Sequence, residues 1–217
     1  FKALITEAKN TAFGQNHDLG NINSFQDFAK KVPIRDYEEL KPYINRVVSG
    51  EENVLWPRKP LYFAKTSGTT SGAKYIPLTK ESMPYHIAAA RNAILCYINE
   101  TGNSKFVDGK MIFLQGSPEM HEKNGIRLGR LSKDQNMTVI SGIPSWVQMY
   151  FEKLQKKTGK KVGDLFKNFN LFIYGGVNFE PYRAKFENLI GRKVDSIELF
   201  PASEGFFAFQ DSQKTKG

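Results

Sequence analysis

Cysteine is nearly missing from this sequence: Cys96 is the single thiol among 217 residues. One thiol cannot close an internal disulfide, which excludes a disulfide-stapled scaffold and fits a reducing compartment. Its neighbours from Ala88 to Ile98 are mostly apolar, so Cys96 is expected to be a packed thiol and not a nucleophile. Histidine is almost as scarce. His17, His86 and His121 lie far apart and make no metal-ligand spacing, which argues against zinc chemistry. No apolar run approaches the about 20 residues that a membrane span requires. The opening FKALITEAKN also lacks the long apolar stretch of a signal peptide. The expectation is a soluble, cytoplasmic protein with no membrane partner. The chain opens on Phe1 and not on Met, so its true start is expected further upstream.

Charge is present in excess of one sign, with a formal net value of +9. Such a balance suits nucleic acid, an anionic surface or an anionic small molecule. The lysines are scattered, with short clusters at Lys156-Lys157, Lys160-Lys161 and Lys214-Lys216. They are not interleaved with base-stacking aromatics as in a nucleic-acid module. No nucleic-acid partner is expected, and most of the charge reads as solvated surface.

Along the chain, the first third reads as short amphipathic helices over 4–12 and 24–32, the second capped by Ser24 and ended by Pro33. A third is capped by Asp36, with Leu40, Tyr43, Ile44 and Val47 on its apolar side. The pattern changes at Leu61. Strands are expected over 61–65 and 75–78, then a long helix from Thr79 to about Asn99 with Gly102 beyond its end. Strands over 110–115, 137–140, 170–174, 194–200 and 205–210 alternate with helices over 144–157 and 180–190. This alternation is the α/β signature. In such sheets ligands sit beyond the carboxyl ends of strands, so the loops at 66–74, 175–178 and 200–204 are expected on one sheet edge.

The loop with the most chemistry reads Thr66-Ser67-Gly68-Thr69-Thr70-Ser71-Gly72-Ala73-Lys74. Hydroxyls and exposed backbone N–H groups donate to phosphate oxygens, and glycines let the backbone form an anion nest. The lysine adds a compact positive charge. A polyanion is the natural partner. The spacing is not that of a Walker A loop, because Ala73 separates Gly72 from Lys74 and an extended stretch follows where a helix should. No G-x-G-x-x-G follows a strand, so a dinucleotide fold has no support. The bland alternative is a flexible surface linker, which would not usually be flanked by apolar strand-like segments.

Phe63 to Lys74 resembles the AMP-binding signature of the adenylate-forming superfamily of acyl-CoA synthetases, adenylation domains and luciferases. Phe200-Pro201-Ala202-Ser203-Glu204 narrows the match. It is similar to the [YF]-x-x-S-E element of the auxin-responsive Gretchen-Hagen family of acyl acid-amido synthetases. Val32 to Leu40, Met111 to Glu119 and Leu171 to Pro181 also resemble bacterial-type members of that family. The resemblance implies an α/β fold: the large amino-terminal domain of an adenylate-forming enzyme. In it a helical lead-in over 1–60 packs on an ATP-binding subdomain over 61–217.

The same resemblance implies roles. Thr66, Ser67, Gly68, Thr69, Thr70 and Ser203 would bind ATP phosphates. Lys74 and Glu204 would be catalytic, with Glu204 holding magnesium. Gly175, Gly176, Val177, Phe200 and Ala202 would line the adenine. Arg91, Trp146 and Met149 are candidates for the acyl pocket, although a surface arginine and an amphipathic core helix explain them as well. The implied activity is formation of an acyl-adenylate from a carboxylic acid and Mg-ATP, then amide formation with an amino acid or other amine. An acyl-CoA ligase and an inactive nucleotide-binding fragment are the alternatives. The family's ribose-holding Y-R-x-G-D-like element and its carboxy-terminal lid domain are expected beyond Gly217. Relatives also carry a partly helical stretch between the counterparts of Arg130-Leu131-Ser132 and Met137 that this text lacks.

Overall fold

Local capping rules set where the first helices begin. The computed structural model describes residues 1–67, 73–114 and 136–214. Helix α1 (Lys2–Ala8) and helix α2 (Ala12–Asn16) replace the single helix expected over 4–12. The break is made by Thr11, whose hydroxyl donates to Ala8 O at 2.7 Å and accepts from the Gly14 N–H at 3.0 Å. A serine or threonine that satisfies orphan backbone groups in this way starts a new helix instead of continuing the old one. Helix α3 (Phe25–Lys31) is entered through a capping box between Ser24 and Asp27, and helix α4 (Tyr37–Val48) through one between Asp36 and Glu39. Ile44 and Val47 are the buried positions of α4, with Leu40 and Tyr43 half-buried beside them. Ala8, Leu19 and Ile22 form a small core under α1 and α3, joined by Ile5, Phe28, Val32 and Trp56.

Strands β1 (Tyr62–Ser67) and β2 (Ala73–Leu78) form their own antiparallel two-stranded sheet. Helix α5 (Met83–Thr101) follows. Its regular turns begin at Met83, four residues after Thr79, and Thr79 and Ser82 make a reciprocal capping pair at its entry, each hydroxyl accepting the other's N–H at 3.1 Å. Gly102, with φ of 68°, ends it as the sequence suggested.

The five-stranded sheet runs β3 (Lys110–Leu114), β4 (Met137–Gly142), β5 (Leu171–Gly175), β6 (Asp195–Pro201), β7 (Phe206–Phe209), in chain order. The first four are parallel and β7 is antiparallel to β6. Helices α6 (Pro144–Thr158), α7 (Val162–Leu165) and α8 (Glu180–Ile190) make the crossovers. Along β4 and β5 every residue except the terminal Gly142 and Gly175 is buried, and from Val139 onward the apolar residues alternate in allegiance. Ile140, Phe172 and Tyr174 join Val147 and Phe151 of α6 and Phe186, Leu189 and Ile190 of α8. Val139, Leu171 and Ile173, with Ile197 of β6, join Ala93 and Tyr97 of α5. Period-two alternation with both sets apolar is what a sheet covered on both faces demands. Cys96, expected to be packed, is half-buried on α5.

The chain divides into two compact units. One comprises Phe1–Ile87 with Ser203–Gly205, the other Ala88–Ala202 with Phe206–Gly217. The loops at 175–178 and 200–204 leave neighbouring strands β5 and β6, as expected for one sheet edge. The stretch 66–74 does not share that sheet. It connects β1 and β2, and β1 pairs with β2 alone among the described residues.

Candidate functional site

Antiparallel pairing builds the phosphate-loop candidate from its base. The register sets Thr66 opposite Lys74 and Ser67 opposite Ala73, so the first hydroxyl-bearing residues and the lysine stand side by side at the loop's root. Gly68, Thr69 and Thr70 lie outside the described residues. The Lys74 ammonium sits over the Tyr37 ring, 5.2 Å from its centroid. The hydroxyl of the same tyrosine accepts the Tyr75 N–H at 2.8 Å. Ser203 and Glu204 occupy the turn between β6 and β7, and they belong to the same compact unit as Thr66, Ser67 and Lys74. Glu204 is exposed and makes no ion pair among the described residues.

The adenine-side candidates all belong to the second unit. Gly175 ends β5 opposite Leu199. A Cβ there would stand 2.4 Å from Leu199 O, so the close approach of the two strands admits glycine alone. Gly176 adopts a φ of 85°, the left-handed region that glycine enters without strain. Val177 is 41% exposed and Phe200 60% exposed, and Phe200 packs on Phe207 with centroids 5.4 Å apart. Ala202 is half-buried at the end of β6. Exposed apolar surface at strand ends, beside a glycine turn, is a surface on which a flat base can lie.

The acyl-pocket candidates are not gathered. Arg91 is exposed on α5, whereas Trp146 and Met149 are half-buried on α6, which covers the opposite face of the sheet. Trp146 and Met149 flank the stripe formed by Val147 and Phe151, which are fully buried.

Two further groups carry no local sequence signal. Tyr174 donates its hydroxyl to Glu198 Oε2 at 3.2 Å across the β5–β6 register, one residue before Gly175. Burial, reinforced by the Glu198 charge, raises the Tyr174 pKa well above the usual phenol range. Tyr37 precedes Lys74 by 37 positions, and no spacing rule links a helix's first residue to a lysine on a later strand. A cavity of about 310 Å³ in the first unit is lined by Leu4, Val47, Trp56, Pro77 and Tyr85 among others, and none of the expected site residues lines it. No helix of the described residues is long and apolar enough to cross a membrane. No three His, Cys, Asp or Glu side chains among them cluster as a metal cage.

Residues 1–137 match the model of the GH3 family N-terminal domain. Among curated proteins, the chain is 32% identical over 129 residues to an indole-3-acetic acid-amido synthetase, GH3.15 of Arabidopsis thaliana. That stretch is 58% of this chain and 21% of the relative. It is 26% identical over 129 residues to the jasmonoyl–L-amino acid synthetase JAR4 of Nicotiana attenuata, covering 58% of this chain and 22% of the relative. Among solved structures, a GH3.15 acyl acid amido synthetase superposes with a TM-score of 0.69 at 13% identity, over 99% of this chain and 53% of that one. A 2-hydroxyisobutyryl-CoA ligase superposes with a TM-score of 0.57 at 11% identity, over 93% of this chain and 51% of that one. These two likenesses show the adenylate-forming fold. The chain thus spans about half the length of the solved structures it matches.

Proposed function

Because the chain belongs to the GH3 family, we propose that it carries the nucleotide-binding part of an ATP-dependent acyl acid-amido synthetase. The observation that supports this most is the register of the β1–β2 hairpin, which roots a loop of hydroxyls and glycines between Thr66 and Lys74. Backbone N–H groups, hydroxyls and one ammonium converging on a loop are the donors that a triphosphate requires.

In the proposed first half-reaction a carboxylate oxygen attacks the α-phosphorus of ATP. The bond from that phosphorus to the bridging oxygen breaks, and pyrophosphate leaves with the electron pair. The residues of 66–74 hold the phosphates in line, and Lys74 offsets the charge that builds on the leaving group. Gly175 to Val177 and Phe200 receive the adenine. Ser203 donates to the α-phosphate. In the second half-reaction the amine of an amino acid attacks the acyl carbonyl, AMP departs, and the amine loses a proton. No side chain becomes a covalent nucleophile.

A divalent cation fits this site as magnesium usually binds, through phosphate oxygens and one carboxylate. Glu204 would supply that carboxylate, being exposed and free of ion pairs among the described residues. When bound, the cation neutralises phosphate charge.

The test is pyrophosphate release by the full-length protein across a panel of carboxylic acids, followed by conjugate formation with amino acids or coenzyme A. Release with an acid, and conjugate with an amino acid, is the expected result. No release with any acid would sink adenylation, and conjugate formed with coenzyme A alone would sink amide formation. Glu204→Ala should abolish release while leaving the fold intact.

A further inference from the structure

The hairpin that carries the phosphate loop is small. A two-stranded sheet is marginal without support, and among the described residues β2 has a strand neighbour on one side only. Its support comes from α4, which packs against β2. Tyr37 is the first residue of α4, fixed there by the Asp36–Glu39 capping box, whose two bonds are each 2.9 Å. From that position one side chain makes two contacts with consecutive residues of β2. Its hydroxyl accepts the Tyr75 N–H at 2.8 Å, so that amide faces away from β1 and is tied to α4. Its ring face lies under the Lys74 ammonium at 5.2 Å.

We propose that Tyr37 is a positioning residue for Lys74, holding the ammonium at the root of the loop before the triphosphate arrives. The inference rests on the adenylation reading above. A lysine has four rotatable bonds, and confining it on binding costs side-chain entropy. A ring beneath the ammonium meets part of that cost in advance, through the attraction between a cation and an aromatic face. The hydroxyl acts on the backbone, setting where β2 leaves the loop and hence where Lys74 starts. Asp36, by capping α4, fixes the origin of both contacts.

The experiment measures affinity of the full-length protein for Mg-ATP and for adenosine by calorimetry, in the wild type, Tyr37→Leu, Tyr37→Phe, Lys74→Met and the double variant Tyr37→Leu/Lys74→Met. Tyr37→Leu is expected to weaken ATP about fivefold, the size of a lost cation–aromatic contact with its positioning. Adenosine, which has no phosphate, should change by less than about twofold and so serves as the control for folding. In the Lys74→Met background, removing Tyr37 should weaken ATP by less than about twofold further, because the two residues act as one unit. Tyr37→Phe keeps the ring and drops the acceptor, and should fall between wild type and Tyr37→Leu. An equal loss in both Lys74 backgrounds would make Tyr37 merely structural and overturn the inference, as would a Tyr37→Leu protein that binds ATP normally. A wild type that binds neither ATP nor adenosine sinks the adenylation reading, and the inference with it. A wild type that binds ATP without Tyr37–Lys74 coupling sinks the inference alone.

Discussion

The Tyr97 hydroxyl donates to Asp195 Oδ2 at 2.7 Å, joining the last turns of α5 to the first residue of β6 across 98 positions of sequence. Asn103 Nδ2 donates to the same hydroxyl at 2.9 Å, so its donor and acceptor capacity are both used. Tyr97 is only 2% exposed, which makes this the polar tip of an otherwise apolar contact under the sheet. Tyr97→Phe keeps the ring and removes both bonds. It should lower the unfolding free energy by about 1.5 kcal/mol, the lower range for a bond to a charged group. A shift of the urea midpoint with an unchanged slope is the expected observation. An unshifted midpoint would mean that the bond is replaced by solvent at no cost.

Tyr150 presents the opposite case. Its hydroxyl oxygen is buried without a hydrogen-bond partner among the described residues, and burial pushes its pKa up to about 12. An unsatisfied buried hydroxyl costs stability that a same-shaped apolar group does not. Tyr150→Phe is therefore expected to stabilise the protein by about 1 kcal/mol. A lowered melting temperature in that variant would show that a water satisfies the hydroxyl.

Tyr97, Tyr150 and Tyr174 all belong to the unit built on the five-stranded sheet, and burial raises the pKa of each from an ordinary 10.0. Raised values mean that the fold holds the neutral phenol. The stability this represents is complete below pH 10 and is lost as pH climbs from there towards the folded values, because the unfolded chain sheds those protons first. Each phenol adds at most about 1.4 kcal/mol per pH unit to the loss. Denaturation midpoints measured from pH 9 to 11.5 should hold steady and then fall, and Tyr150→Phe should shallow the decline. A curve flat through pH 11.5 contradicts the assignment.

Gly175 and Gly176 are adjacent but differ in what they forbid. Gly175→Ala places a methyl against the Leu199 carbonyl of the neighbouring strand, which cannot give way without breaking the β5–β6 pairing. Gly176→Ala meets nothing closer than 3.9 Å, and its cost is the left-handed backbone, about 1–2 kcal/mol. Gly175→Ala should therefore be the more destabilising of the two in thermal melts. Gly176→Ala should fold and weaken ATP binding through a displaced Val177. The reverse order in melting temperature would contradict this account.

Much of this architecture could be read from the residues. Ser24 and Asp36 announced their helices because capping is local, and α8 matched its expected span from Glu180 to Ile190 because proline and glycine bracket it. The parallel strands stood out as short apolar runs between helices. What was hidden depended on partners distant in sequence. Nothing in Leu61 to Leu78 says that β1 and β2 pair with each other and not with the larger sheet. The Thr11 break was hidden as well, since a threonine inside an amphipathic stretch reads as one more polar position until its hydroxyl is seen on Gly14. At the candidate site, Lys74 was legible through the motif, whereas Tyr37 was not, because its link to Lys74 exists only once α4 lies on β2.

The place of β3 has a bearing on handling. Among the described residues this strand has a neighbour on one side only, and Met111 and Phe113 on it are more than half exposed. A parallel edge with no strand neighbour among the described residues, flanked by apolar side chains, is a template on which another extended chain can lay itself down. Concentrated stocks of this chain would then be limited by how quickly such edges find one another, and a charge placed on β3 would extend their working life without touching the loops.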